Sequence, residues 1–296
     1  MITAAMVKEL REITSAGMLD CQKALKETNG DMDKAIEFLR EKGLATAAKK
    51  AGRIASEGIV KAYLSDDKSV GVLLEVNSET DFVAKNDEFQ KFVGDVAKVV
   101  AEKNPADVDA LKAMSLGSET VGDALTALIA KIGENMNIRR FARLTGNVCS
   151  YTHGEGRIGV LVQANNSLAD SNAYEAARDV AMQIAAINPL YLSKESVPTA
   201  DVEHEKSIIV AQIKEDPKNA NKPEQIIEKM VDGKINKFYE TNCLLQQEFV
   251  KDNDLKVEKY LASKGVTLNN FVRFEKGEGL QKKEENFAEE VMKQIK

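Results

Sequence analysis

The stretch GVLLEVNSETDFVAKNDEF (residues 71–89) reads as an apolar strand, a break at SETDFV, and a polar run that leads into a helix. Phe89, Phe92, Val93, Val96, Val99 and Val100 then recur on one helical face. The handover carries an odd pair: Asp81 wants water or a cation, and Phe82 beside it wants to be covered. If Thr80 caps the helix, Phe82 is in phase with Phe89, Val93 and Val96 and can be core. Asp81 then sits in the first turn, where the helix dipole favours an acid. Alternatively, Asp81 and Phe82 form an exposed wedge. Periodicity leaves both readings open.

Working outward, GIVKAYLSDDKSVGVLLEVN (58–77) gives two strands around the turn SDDKS. VGDALTALIAKIGEN (121–135) reads as a helix and NIRRFARL (137–144) as a strand. The plan then recurs. KSVGVLLEVN (68–77) aligns with GRIGVLVQAN (156–165), matching Gly71 with Gly159, Val72 with Val160, Leu73 with Leu161 and Asn77 with Asn165. A helix follows again at AYEAARDVAMQIAAI (173–187), and each half closes on an Arg/Phe strand, NIRRFARL early and NNFVRFEKG (269–277) late. The reading is an α+β fold with a duplicated core, subdomains 57–144 and 145–276. An antiparallel helical hairpin is inserted in the second at about 200–242, where two helical patterns flank the breaker DPKNANK (216–222). A C-terminal module, 277–296, ends in the amphipathic pattern KKEENFAEEVMKQIK (282–296).

Residues 1–56 form a helical domain plus linker. Met6, Val7, Leu10 and Ile13 make a stripe in AAMVKELREIT (4–14), which breaks at Gly17. Asp20 can cap a second helix presenting Cys21, Ala24 and Leu25; Asp31 caps a third with Ala35, Ile36 and Leu39 facing in. EKGLATAAKKAGRIASEG (41–58) reads as an Ala/Lys-rich linker, helical in part.

Composition narrows the function classes. Of 296 residues 43% are hydrophobic, enough for a substantial core, and the net charge of −6 disfavours a basic nucleic-acid surface. Aromatics are 5% with no Trp, which argues against a base-stacking platform. Cys21, Cys149 and Cys243 are widely spaced and lack metal-ligand or CxxC patterns, so they read as ordinary thiols in a reducing compartment. MITAAMVKELREI is charged early and is no signal peptide, and no apolar run is long enough to span a membrane. A soluble, cytoplasmic protein is expected. No Walker A, GxSxG or HExxH pattern occurs. Of the two histidines, His204 lies amid charges in VEHEKS, as a solvated residue would. The expectation is a protein that is not an enzyme and carries no cofactor and no metal.

The order of segments resembles the elongation factor Ts family, the bacterial nucleotide-exchange factors for the GTPase elongation factor Tu. VKELREITSAGMLDCQKALKETNGDMDKAIEFLREKG (7–43) is similar to that family's N-terminal, ubiquitin-associated-like three-helix domain. EVNSETDFVAKN (75–86), IGENMNIRRFARL (132–144), SYTHGEGRIGVLV (150–162) and FVRFEKGEG (271–279) match further family blocks, in order, over essentially the whole chain. The resemblance implies guanine-nucleotide exchange during translation elongation, with GDP-bound elongation factor Tu as partner. It assigns Thr80, Asp81, Phe82 and Val83 to the element that disturbs the GTPase's Mg²⁺ site. It further implies partner contacts at Met18, Leu19 and Asp20, in the loop between the first two helices, and at His153. Met18 and Leu19 can equally pack within the small domain, and His153 can be merely exposed. Dimerisation of the complex is left open, and neither membrane nor direct nucleic-acid binding is expected. One alternative is a polypeptide-binding adaptor working through the ubiquitin-associated-like domain, which uses only residues 1–45. Another is an RNA-binding accessory using AAKKAGR (47–53) and NIRRFARL.

Overall fold

The computed structural model describes residues 2–14, 16–219 and 222–282, so residues 283–296 of the expected tail helix lie outside it. Three helices come first: α1 (Ala4–Thr14), α2 (Met18–Glu27) and α3 (Met32–Lys50). They close over Leu10, Cys21, Ala24, Leu25 and Ala35, largely the residues the periodicity points inward. Ile13 departs from its stripe and is exposed. Asp31 caps α3 as expected, its side chain accepting from the Lys34 amide. Asp20 does not cap α2: Gly17 holds that position, and Asp20 pairs instead with Lys42. The run 41–58, expected to be helical in part, is helix as far as Lys50, because α3 continues through its Ala-rich stretch and rests on the core. Gly43 is buried there, and a Cβ on it would lie 3.8 Å from Ala130 and 3.9 Å from Thr126.

The first half comprises β1 (Glu57–Leu64), β2 (Val70–Ser78), the single turn α4 (Asp81–Ala84), α5 (Asp87–Lys103), α6 (Val108–Ala113), a small hairpin β3 (Ser115–Leu116) and β4 (Glu119–Thr120), α7 (Val121–Ile132) and β5 (Met136–Thr145). The second comprises β6 (Asn147–His153), β7 (Ile158–Ala164), α8 (Ser171–Ile187), the helical hairpin α9 (Thr199–Glu215) and α10 (Glu224–Asn242), a short pair β8 (Glu248–Phe249) and β9 (Asp252–Lys256), α11 (Val257–Ser263) and β10 (Leu268–Glu275). Each half has a three-stranded antiparallel sheet of the same connectivity. The orders are β1-β2-β5 and β6-β7-β10, with the hairpin's second strand central both times.

The two sheets pack face to face with helices outside. Along β2, Val72, Leu74 and Val76 point to a cluster with Phe89, Val93 and Val96 of α5, while Leu73 points the other way. Along β7, Val160 and Val162 join Val180 and Ile184 of α8, while Leu161 faces back. Val60, Leu73, Val148, Leu161 and Phe274 therefore form a separate layer between the sheets. Gly71 and Gly159, matched in the sequence, are the close-approach points. A Cβ on Gly71 would lie 2.5 Å from Val148 and 3.1 Å from Leu161; one on Gly159 would lie 2.6 Å from Val60 and 2.9 Å from Leu73. Each glycine thus admits the leucine of the opposite central strand.

Candidate functional site

Strand β2 ends at Ser78, and the chain turns outward through Glu79 and Thr80 into the one-turn helix α4. Thr80 occupies the N-cap position of α4 but makes no capping bond. Its hydroxyl donates instead to Glu134 Oε1 (2.8 Å), and its amide donates to Glu134 Oε2 (3.0 Å). Val83 and Ala84 turn inward and are buried against the α5 core. Phe82 points away and is 81% exposed, which removes the core reading that its phase with Phe89 allows. Asp81 is exposed too, with Lys85 3.6 Å away on the same surface.

The reason lies at Asn86. Its backbone is extended, and its side chain accepts from the amides of Glu88 (2.9 Å) and Phe89 (3.2 Å), so α5 starts afresh there. Phe82 and Phe89 therefore belong to different helices, and counting turns across the break gives a false phase. The signal was legible: Asn followed by Asp87 and Glu88 is a helix start.

The other residues implied by the resemblance lie apart from this turn in the chain. Met18 and Leu19 open α2 and are exposed, Leu19 at 80%. With Ala4, Val7, Lys8, Arg11 and Gln22 they line a shallow apolar groove of about 260 Å³. Asp20 sits beside them, paired with Lys42. His153 ends β6, exposed, with Nδ1 3.0 Å from the Tyr151 hydroxyl. Among the described residues no group of three or more His, Cys, Asp or Glu side chains could hold a metal ion.

Sequence reasoning missed a buried carboxylate. Glu75 sits on β2 on the face that meets the second sheet, and solvent does not reach it. Its Oε1 accepts from Gly277 N (2.8 Å), Arg139 Nη1 (3.0 Å) and Asn77 Nδ2 (3.1 Å), and Oε2 from Arg140 Nε (2.6 Å). Both arginines reach one carboxylate because the β2–β5 register slips between Glu75 and Val76, leaving Arg139 as an extra residue. Burial pushes the Glu75 carboxyl up, but these donors outweigh it and hold it below its ordinary value. The arginines that NIRRFARL offered to RNA are thus occupied within the fold, Arg143 included, which donates to the Ala101 carbonyl (3.0 Å).

Comparison with known proteins bears on this arrangement. The family model described as Elongation factor TS matches residues 79–278. The chain is 54% identical to elongation factor Ts of Clostridium kluyveri, over 100% of this chain and 99% of the relative. It is 55% identical to that of Clostridium perfringens (strain 13 / Type A), over 99% of each. The chain belongs to the elongation factor Ts family. It is a family of translation elongation factors associated with nucleotide exchange in protein biosynthesis. The family match begins at Glu79, so it takes in the Phe82 turn and Glu134 and ends at Glu278, in the turn that binds Glu75. Among the described residues no helix is long and apolar enough to cross a membrane.

Proposed function

We propose that this protein is a guanine-nucleotide exchange factor for elongation factor Tu, and that it loosens GDP by pressing the Phe82 turn against the GTPase beside its Mg²⁺ site. The observation that carries the reading is Phe82 itself: an 81% exposed aromatic on a turn whose neighbours Val83 and Ala84 are buried. Asp81 supplies polar contacts beside it, while Thr80 and Val83 hold the turn from either side. Met18, Leu19, Asp20 and His153 are further contact candidates, supported by the exposure of Leu19 and the groove beside it. The small helical domain (1–56), taken as ubiquitin-associated-like, would present Met18 and Leu19 as a contact surface of its own, while the duplicated core subdomains 57–144 and 145–276 present the Phe82 turn and His153.

The chemistry needs no covalent step. A GTPase holds GDP partly through Mg²⁺ on the β-phosphate, and Mg²⁺ tolerates only near-octahedral ligation. A wedge that shifts the ligands therefore weakens nucleotide without touching it. Linkage makes the effect reciprocal: GDP weakens binding of the factor as much as the factor weakens GDP. A thousand-fold faster release needs about 4 kcal/mol of barrier change, within the range of a well-seated aromatic anchor and its surroundings.

The test is stopped-flow release of a fluorescent GDP analogue from elongation factor Tu. Wild type should accelerate release. Phe82→Ala should lose most of that, about 30-fold if the side chain is an anchor of about 2 kcal/mol. Its melting should stay nearly unchanged, because the ring is mostly exposed in the free protein. Val83→Ala, one residue on, should melt early. Full acceleration by Phe82→Ala refutes the wedge; none by wild type refutes exchange. The adaptor reading is not favoured, since relatives match along the whole chain rather than only its first domain.

A further inference from the structure

We propose that Glu134 is a positioning residue, which clamps the Phe82 turn in its outward form from a loop that is itself bonded to the end of helix α3. The inference rests on the exchange reading above. Helix α4 is a single turn without a side-chain cap, so little within it fixes its direction. Besides the burial of Val83 and Ala84, a reciprocal grip between two loops fixes it. Both Glu134 oxygens are engaged by Thr80, the residue just before the turn, through its amide at 3.0 Å and its hydroxyl at 2.8 Å. In return, Glu79 Oε1 accepts the Asn135 amide at 2.6 Å. Each loop's carboxylate takes the other's backbone N–H, which sets the relative position of both backbones.

The same loop reaches the N-terminal domain. Asn135 Nδ2 donates to the Arg53 carbonyl (2.8 Å), Lys50 at the end of α3 donates to the Gly133 carbonyl, and Arg53 Nη1 pairs with Glu79 (3.4 Å). Residues 133–135 therefore join the wedge turn to the end of the helical domain whose α2 carries Met18 and Leu19. A load on either surface can pass through this loop and the Glu79–Arg53 pair rather than through a free tether.

The test compares wild type with Glu134→Ala, Glu134→Gln and Thr80→Val by two readouts. The first is GDP-analogue release from elongation factor Tu across factor concentration; the second is amide hydrogen exchange of residues 79–84 in the factor alone. Glu134→Ala should lower the maximal release rate about tenfold, the effect of one charge-assisted hydrogen bond. The half-saturating concentration should change by less than about twofold, because Phe82 and the other contact surfaces are still present. Glu134→Gln, with one acceptor oxygen left, should fall between. The Thr80→Val/Glu134→Gln double variant should be less than additive. Exchange at 79–84 should quicken, with β2 and α5 unchanged. If Glu134→Ala melts early, the other two variants decide by the same criteria. An unchanged maximal rate despite a loosened turn overturns the positioning role, and unchanged amide protection overturns the clamp. A wild type that fails to accelerate release instead overturns the exchange reading, a separate failure.

Discussion

Replacing Glu75 by Gln should expose how the two sheets are joined. The carboxylate is fully buried and accepts four donors, two of them guanidinium nitrogens, at 2.6 to 3.1 Å. A Gln keeps one acceptor oxygen but turns an amide donor toward donors and removes the counter-charge that Glu75 supplies to both arginines. Breaking a buried ion pair from one side costs about 3–5 kcal/mol. Here the lower figure applies, because the Arg139 and Arg140 side chains are 21% and 30% exposed and Arg140 keeps Glu278 at 3.1 Å. About 3 kcal/mol corresponds to a melting drop of roughly 6–12 °C for a domain of this size. The pH dependence follows from the sign of the shift. The native carboxyl is held below its ordinary 4.5. Its ionisation thus stabilises the fold above that value, and the contribution is lost as pH falls toward the native value. Urea titrations of wild type and Glu75→Gln at pH 7 and in steps below pH 4.5 should show a gap that narrows on acidification. A gap under about 1 kcal/mol at pH 7, well below the range for a broken buried pair, or one that stays constant with pH, would refute the reasoning.

Two further outcomes follow from the core. Gly71→Ala places a Cβ 2.5 Å from Val148 at the tightest point between the sheets, and should destabilise by about 1–3 kcal/mol through overpacking; thermal melting checks it, and an unchanged midpoint would mean the sheets can part there. Cys21, Cys149 and Cys243 are buried, and burial pushes the Cys149 and Cys243 thiols up to about 11. Ellman's reagent should therefore leave all three unmodified in the native protein and label them in urea; prompt native labelling would contradict their burial.

Much of this fold was legible because its burial is periodic. The central strands β2 and β7 are buried on both faces and largely apolar, since one face meets helices and the other meets the opposite sheet. The Gly71/Gly159 match was visible for the same reason: both positions are where the sheets approach. Residues that depend on an irregularity were not legible. Nothing in NIRRFARL announces a bulge, so the convergence of Arg139 and Arg140 on Glu75 could not be read from alternation, and the pair passed for a basic patch. Composition alone marks the Ala/Lys-rich run 41–58 as linker, although both residues are strong helix formers and α3 runs on to Lys50. Glu134 was one acid among 47 acidic residues; only the fold brings it to Thr80.

Phe82 stands exposed because its neighbours have no alternative. Val83 and Ala84 commit one side of the turn to the core, the Asn86 cap ends any helical phase that would carry Phe82 inward, and Glu134 holds the approach at Thr80. This pre-ordering has a magnitude that matters for the proposed exchange. Ordering backbone costs about 1–2 kcal/mol per residue, so a loose loop over residues 80–83 would forfeit about 4–8 kcal/mol on docking. A thousand-fold acceleration of release needs only about 4 kcal/mol. A flexible Phe82 loop would therefore lose on ordering as much as the wedge is meant to deliver. On this reckoning the fixed turn is what lets the ring it carries convert contact into strain under the proposed exchange.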